Sequence, residues 1–283
     1  MKLGFITNYS DKSIAFAKEV GFTSVQLLAS PGSVLDADRT TDEDVTRIQE
    51  ILEQNGITVS ALGYYANHLD PDPGKKKRIN DYFINVIHLC NRMGVGIIAT
   101  FGGRDPEKSI SDNIPLFKDV FSSYVIEAET KGLKIAIENC VTMCGFPFRG
   151  SNIAYCPQAW DLMFDAVESA ALGLELDPSH LHWLGIDYTK AIYDYKEKIY
   201  HVHAKDTEIF EDQLLKTGIY GKGWWRFRIP GLGNIDWNSF FTALYDIGYN
   251  GGVDIEHEDS LFRGEKFEKG LILGFEFLSQ FIF

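Results

Sequence analysis

The chain has 283 residues, of which 45% are hydrophobic and 24% are charged, and its formal net charge is −13. This length and balance are typical of a globular α/β protein with a sizeable core. The negative charge argues against a nucleic-acid partner and against an anionic membrane surface, because both need a basic face. No apolar run is long enough to cross a bilayer, and the first residues lack the apolar stretch of a signal peptide. We therefore expect no membrane association and a cytoplasmic location.

Short β-rich runs recur along the chain and predict eight strands. In chain order they span 3–7, 24–28, 57–62, 96–100, 133–137, 172–176, 199–203 and 252–255. Between most of them lie segments with helical periodicity, such as 42–56, 75–94 and 113–132. Several of these segments end in a glycine just before the next strand, as expected for helix termination: Gly21, Gly56, Gly94, Gly132 and Gly248.

Strand–helix alternation without a break in composition predicts a single α/β domain over 1–283, folded as a (β/α)8 TIM barrel. The alternative is an open, doubly wound sheet. Such a sheet usually carries a glycine-rich phosphate loop after its first strand, and the segment ITNYSDKS at 6–13 has none. Two long stretches without periodicity, 141–156 and 206–236, follow the fifth and seventh strands and are expected to be loops at the barrel mouth.

The four cysteines, Cys90, Cys140, Cys144 and Cys156, indicate reduced cytosolic thiols in a chain of this length. Three of them cluster at 140–156, which raises the question of a zinc site. No CxxC pair is present, so we do not expect one there.

A metal-capable residue lies at or just past the end of each of the last four predicted strands. These residues are Glu138, Asp177, His203 and Glu256. A barrel places its reactive groups at the C-terminal ends of its strands, so the four side chains should meet. Three buried carboxylates are unfavourable without a cation, and an oxygen-rich set suits Mn²⁺, Mg²⁺ or Co²⁺ better than structural Zn²⁺. We predict one divalent ion here (Mn, Co, Mg or Zn), with Mn favoured.

The seventh strand, in the segment KIYHVHAKD at 198–206, carries two histidines on one face. His203 is predicted to face the metal. His201, one repeat deeper, either packs in the core or orients a neighbouring group. Lys205 and Asp206 follow directly and either pair with each other or act in the site, where Lys205 would contact the substrate.

Two further histidines are candidate substrate contacts. His180 follows Asp177 by three residues in a turn with Pro178, and is predicted to hydrogen-bond a substrate oxygen rather than act as a structural cap. His68, after the third strand, is placed near the mouth, where it either contacts substrate or caps the loop.

The long loop after the seventh strand contains Trp225, Arg226 and Arg228. Arginine binds anionic or hydroxyl-rich groups, and tryptophan stacks on sugar faces. We therefore assign all three to substrate binding, the alternative being a packed loop with solvated arginines. Residues 226 and 228 share a face in an extended segment, so only one arginine should point inwards.

The chain resembles the sugar phosphate isomerase/epimerase superfamily of xylose isomerase-like TIM barrels. The resemblance extends over essentially the full chain and is carried by IEN (137–139), LDPSH (176–180), HVHAKD (201–206), RIPGLGNIDW (228–237) and IEHED (255–259). It implies a divalent metal on Glu138, Asp177, His203 and Glu256. In ketose 3-epimerases of this superfamily the first and last glutamates also move protons. The segment AKDTE and the loop GIYGKGWWRFRIPGLG depart from the pattern, and some similar proteins cleave or dehydrate 3-keto sugars.

These observations predict a divalent-metal-dependent isomerase or epimerase of a sugar or sugar-like polyol, acting by proton transfer through an enediolate. The alternative is a lyase or dehydratase that acts on a 3-keto sugar or keto-polyol by β-elimination at the same site. A sugar-binding barrel without turnover is disfavoured by the intact ligand set, and an abasic-site endonuclease by the net charge of −13. The apolar C-terminal helix has more aromatic residues than one face needs, which suggests a homo-oligomer contact.

Overall fold

Eight parallel strands close into a barrel in the computed structural model of the chain, which describes residues 1–145 and 148–282. Neighbours in the chain are neighbours in the barrel, and β1 pairs with β8 from Lys2–Gly252 to Phe5–Ile255. The strands are β1 (Lys2–Thr7), β2 (Ser24–Leu28), β3 (Thr58–Tyr64), β4 (Ile97–Thr100), β5 (Lys134–Glu138), β6 (Leu172–Leu176), β7 (Ile199–Ala204) and β8 (Gly252–Ile255). The predicted (β/α)8 barrel is thus confirmed, and the open sheet is excluded.

Helices lie between the strands and cover the outside of the barrel. They are α1 (Asp11–Val20), α2 (Asp42–Asn55), α3 (Pro73–Arg92), α4 (Ile110–Glu129), α5 (Pro157–Ala166), α6 (Pro178–Trp183), α7 (Tyr188–Asp194), α8 (Glu211–Thr217), α9 (Trp237–Asp246) and α10 (Phe267–Leu278). Helix α2 shows how local sequence sets their ends. Thr41 and Asp44 form a reciprocal capping box at its start, and Gly56 ends it in the left-handed conformation at φ 68°.

Two short antiparallel hairpins occupy loops that the sequence pattern left without regular structure. Met143–Gly145 pairs with Arg149–Gly150 after β5, and Asp206–Ile209 pairs with Trp225–Arg228 after β7. We call the second pair the outer hairpin. Strands of two to four residues are too short to show a periodicity, so the sequence pattern did not indicate these hairpins.

The main core fills the space between the barrel and its helices. Helix α10 contributes to it: Phe275 packs on Phe22 with ring centroids 4.8 Å apart, and Phe281, just beyond α10, stacks on Phe241 at 5.0 Å. These aromatic side chains thus have partners within the chain, and a homo-oligomer stays a prediction. Within the described residues, the helices are all too short or too polar to span a membrane.

The interior of the barrel is polar at several positions. Strand β1 contributes Gly4, where an added Cβ atom would overlap Asp254 Oδ1 and the backbone oxygen of Ser24. Asp254 and Ser24 are both fully buried. The absence of a side chain on Gly4 is what leaves room for the Asp254 carboxylate inside the barrel.

Candidate metal centre

The C-terminal ends of β5 to β8 bring the four predicted metal ligands together. One donor atom from each of Glu138, Asp177, His203 and Glu256 lies within 4.8 Å of the others. Glu138, Asp177 and His203 are buried, and Glu256 is half-buried. They meet because parallel strands of a barrel end at one rim, and each of these residues lies within one residue of the end of its strand.

Three donor atoms in this cluster have no hydrogen-bond partner among the described residues: Glu138 Oε1, Asp177 Oδ2 and His203 Nδ1. His203 Nδ1 lies 3.2 Å from Glu256 Oε2 and 3.6 Å from Glu138 Oε1. Buried polar atoms are normally satisfied, so unpartnered atoms that converge on one point are the arrangement expected of a cation site. The donors are oxygen atoms and one imidazole nitrogen, and this set fits a divalent metal ion.

The two glutamates are in unequal electrostatic environments. Burial, and after it the charge of Glu256, raises the pKa of Glu138 to about 7. Burial also acts to raise the pKa of Glu256, but Lys205 and His203 outweigh it and hold that pKa well below its usual range. Two carboxylates with opposite shifts at one site are suited to acid and base roles.

Lys205 reaches the same cluster from the residue that follows β7. Its ammonium group lies 2.6 Å from Glu256 Oε2, 2.9 Å from Glu258 Oε2 and 3.2 Å from Asp177 Oδ2. Although burial disfavours its charge, these carboxylates raise the pKa of Lys205 well above its usual value. The predicted substrate contact is therefore a buried cation at the edge of the ligand cluster, next to the face of the Phe227 ring at 4.4 Å.

His180, on α6, also lies at the cluster. Its Nε2 is 3.4 Å from Glu138 Oε1 and 3.2 Å from Lys205 Nζ. Burial first, and Lys205 second, lower its pKa to about 4, so the ring is neutral near pH 7. Cys140 Sγ lies within 4.8 Å of donor atoms of Glu138 and His180, whereas Cys144 is exposed.

A cavity of about 400 Å³ opens beside the ligands. Its walls include Glu138 and Glu256 together with the rings of Tyr65, Phe101 and Phe267. Aromatic faces and carboxylates are a suitable lining for a small polyhydroxylated molecule.

His68 is not brought into this site. It is fully buried, with Nε2 2.7 Å from Thr100 Oγ1 and Nδ1 3.1 Å from the hydroxyl of Tyr124. Its ring packs on Phe83 at 4.7 Å. The expected place at the mouth was wrong, because the loop after β3 turns this side chain into the apolar layer between the barrel and α3 and α4.

Trp225, Arg226 and Arg228 lie on the outer hairpin and are engaged with the protein itself. Trp225 stacks on Trp183 at 4.6 Å. Both arginines bind Glu208, and Arg228 also binds the buried carboxylate of Asp259 at 2.8 Å. Arg226 and Arg228 lie on one face of their strand, as expected. That face contacts Glu208 rather than the metal cluster.

The outer hairpin is attached at its base by Asp206, which does not pair with Lys205. The Asp206 carboxylate accepts hydrogen bonds from the backbone N–H groups of Gly231, Gly233 and Ile235 and from the indole of Trp237. This one buried side chain therefore holds the returning end of the loop against the end of β7.

Sequence reasoning missed a polar network that lies below the ligands inside the barrel. Its members are Gln26, Tyr65, Glu175, His201 and Asp254. A signal was present in the strand LGLEL, where Glu175 precedes Asp177 by two residues and so shares its face. For His201 the sequence allows either packing or orienting a neighbour, and in the structure the ring bridges Glu175 at 2.8 Å and Asp254 at 2.7 Å.

The chain is similar to several bacterial proteins over most of its length. The chain is 27% identical to protein YfiH of Bacillus subtilis, over 92% of this chain and 93% of that protein. It is 26% identical to inosose isomerase of Bacillus subtilis, over 75% of this chain and 69% of the other. It is also 26% identical to inosose dehydratase of Erwinia tasmaniensis, over 70% of each.

Solved structures share the fold. D-psicose 3-epimerase from Clostridium cellulolyticum H10 superposes with a TM-score of 0.77 at 18% identity, over 100% of this chain and 99% of the other. The IOLI protein with a binding zinc atom gives a TM-score of 0.74 at 21% identity, again over 100% and 99%. The sequence pattern of one family matches residues 14–280, which is nearly the whole chain. The protein belongs to the xylose isomerase-like TIM barrel family.

Proposed function

We propose that this protein is a divalent-metal-dependent isomerase or epimerase of a sugar or sugar-like polyol, with manganese as the favoured ion. The observation that carries the proposal is the convergence of Glu138, Asp177, His203 and Glu256 beside an aromatic-walled cavity. The relatives named inosose isomerase and D-psicose 3-epimerase support the same class of substrate.

A metal ion on these four residues would supply Lewis acidity that makes a carbon-bound proton next to a carbonyl group easier to remove. Glu256 is held ionised by Lys205 and His203, and is the group we assign to proton removal. Glu138 has a raised pKa and ends β5, three strands from β8 along the barrel, so it can return a proton from another side. Removal and return on different faces of one carbon is epimerisation.

Lys205 and His180 complete the assignment. Lys205 offers a buried cation, and the neutral ring of His180 offers a hydrogen-bonding group, both beside Glu256 and Asp177. We assign both to the binding of substrate oxygens. Neither assignment depends on whether the substrate is a free or a phosphorylated sugar.

A lyase or dehydratase is the second candidate, because one relative is named inosose dehydratase. Elimination from a keto-polyol begins with the same proton removal and then needs an acid for the leaving hydroxyl group. Glu138, whose pKa is raised to about 7, is the group at the site suited to that role. Product analysis distinguishes the two, since elimination changes the mass of the substrate by one water and isomerisation does not.

The test is a panel of ketoses, sugar phosphates and keto-inositols, assayed with Mn²⁺ and with a chelator, followed by Glu256→Gln on the best substrate. The amide keeps one metal-binding oxygen but loses the base, so turnover should fall by about 10²–10⁴-fold while metal is still bound. Glu258→Gln is the matched control, since it removes a charge from the same Lys205 without touching the four ligands, and a smaller loss is expected.

Wild-type turnover in D₂O should place deuterium at the reacting carbon. Near-normal turnover of metal-loaded Glu256→Gln would show that Glu256 is a ligand only.

A further inference from the structure

A chain of hydrogen bonds runs from His203 down into the barrel. His203 turns Nδ1 towards Glu138 and Glu256, and its other nitrogen, Nε2, lies 2.7 Å from Gln26 Oε1. Glu175 Oε1 is also 3.2 Å from that nitrogen. The roles proposed for the metal ligands do not use this lower half of the network, although all of its connections lie in the buried interior.

The direction of each hydrogen bond in the chain is determined by Glu175. An ionised carboxylate only accepts, and Glu175 is approached by Gln26 Nε2 at 2.7 Å, by the Tyr65 hydroxyl at 2.6 Å and by His201 Nδ1 at 2.8 Å. These three groups must therefore be donors. His201 in turn reaches Asp254 with its second nitrogen at 2.7 Å, so the carboxylate of Glu175 has a charged partner on its lower side.

The amide of Gln26 can adopt one orientation only. If its NH₂ group donates to Glu175 and to the Tyr65 oxygen at 2.6 Å, its carbonyl oxygen faces His203. The reversed amide would put an oxygen against a carboxylate and an NH₂ group against the ring nitrogen of His203. With the oxygen facing it, His203 Nε2 must carry a proton, and the lone pair of a neutral ring is then on Nδ1, which faces the ligand cluster.

We propose that Gln26 and Glu175 are positioning residues that set the tautomer of His203 and so present Nδ1 to the metal ion. The inference rests on the metal centre of the proposed function. Hydrogen bonds of this kind behind a ligating histidine commonly determine its orientation and basicity. Here the carboxylate acts through an intervening glutamine, and not only by direct contact with the ring.

Glu175→Gln is the decisive variant because it keeps the size of the side chain. An amide has one acceptor oxygen, so it cannot satisfy the three donors that converge on position 175. The unsatisfied donors gain an acceptor if the Gln26 amide rotates so that its oxygen faces position 175 and its NH₂ group faces His203. The ring proton of His203 then moves to Nδ1, where it blocks metal binding. We expect the dissociation constant for Co²⁺ or Zn²⁺, measured by competition with a chelator, to rise by about 10–100-fold.

A second variant tests the same link, and a third serves as the control. Gln26→Leu removes the acceptor opposite His203 Nε2 and should weaken metal binding to a similar degree. Ser60→Ala removes the donor to Asp254 at the far end of the network and leaves the Gln26–His203 link intact, so the dissociation constant should stay within about threefold of the wild-type value.

The tautomer itself can be read in wild-type protein labelled with ¹⁵N-histidine and loaded with Zn²⁺, which needs no variant to fold. The long-range ¹⁵N–¹H spectrum should show His203 with its proton on Nε2; this result tests which nitrogen faces the metal, and the Glu175→Gln and Gln26→Leu variants test what sets it. A proton on Nδ1, or unchanged metal affinity in both Glu175→Gln and Gln26→Leu, would overturn the inference while leaving the proposed function intact. Failure of the wild-type protein to bind any divalent ion would overturn the metal centre and this inference with it.

Discussion

Replacing His68 tests whether this histidine belongs to the core or to the site. Burial lowers its pKa from 6.5 to about 3, so the folded protein keeps the ring neutral where the unfolded chain would protonate it. Below about pH 6.5 the unfolded state therefore takes up a proton that the folded state does not, and the free energy of unfolding falls with pH until about pH 3. The contribution of His68 is thus a loss of stability on acidification.

The size of the effect follows from the two pKa values. Between pH 7 and pH 5 the unfolded chain gains about 2 kcal/mol from protonating His68, and over the full interval the sum is about 5 kcal/mol. His68→Gln can still hydrogen-bond Thr100 and Tyr124 but does not titrate. The free energy of unfolding of the wild-type protein should therefore fall by about 2 kcal/mol more than that of the variant over the same two pH units.

Urea unfolding at pH 7, 6 and 5, with chelator present throughout, measures this difference. The chelator is needed because metal binding has its own pH dependence. The comparison with the variant removes the contributions of other groups, including His180, whose pKa is also lowered. Equal pH slopes for wild-type protein and His68→Gln would refute the buried neutral histidine. If the pH dependence of the free energy of unfolding did not change but KM rose in His68→Gln, His68 would be assigned to substrate binding instead.

Other consequences can be measured by stability alone. Gly4→Ala places a Cβ atom onto Asp254 Oδ1 and the Ser24 backbone, so the free energy of unfolding should drop by about 1–3 kcal/mol. An unchanged melting temperature would contradict the packing described for the barrel interior. Arg228→Gln leaves the buried carboxylate of Asp259 without its charged partner and should cost about 1–3 kcal/mol, whereas Arg226→Gln, which alters a more exposed pair, should cost less than about 1 kcal/mol. Equal effects in the two arginine variants, by chemical denaturation, would show that Asp259 does not distinguish them.

The barrel and its ligands could be predicted from sequence for a geometrical reason. Alternating strands and helices restrict the topology to very few folds, and a barrel brings the ends of all strands to one rim. Glu138, Asp177, His203 and Glu256 each stand at such an end, so their meeting required no knowledge of loop conformation. The strands at 24–28, 172–176 and 252–255 also have the predicted bounds, because their apolar runs are clearly delimited.

The residues on loops could not be placed in the same way. His68 and Arg228 both follow recognisable strands, but their side-chain directions depend on turns whose partners come from distant segments. Thr100 and Tyr124 hold His68, and Asp259 holds Arg228. Gln26 is a different case, because a single polar residue in an apolar strand is informative only once the partner across the barrel interior is known.

Asp206 has a consequence for how proteins of this type diverge. The four ligands stand on strand ends, while Trp225 and Phe227 stand on a loop that the carboxylates of Asp206 and Asp259 tie back to the barrel. Residues 210–224 can therefore change in length and sequence between two firm attachments without moving a ligand. In evolutionary terms this segment can vary independently of the four ligand positions. Grafting this segment between relatives, with Asp206 retained, would show whether it can be exchanged while metal binding is kept.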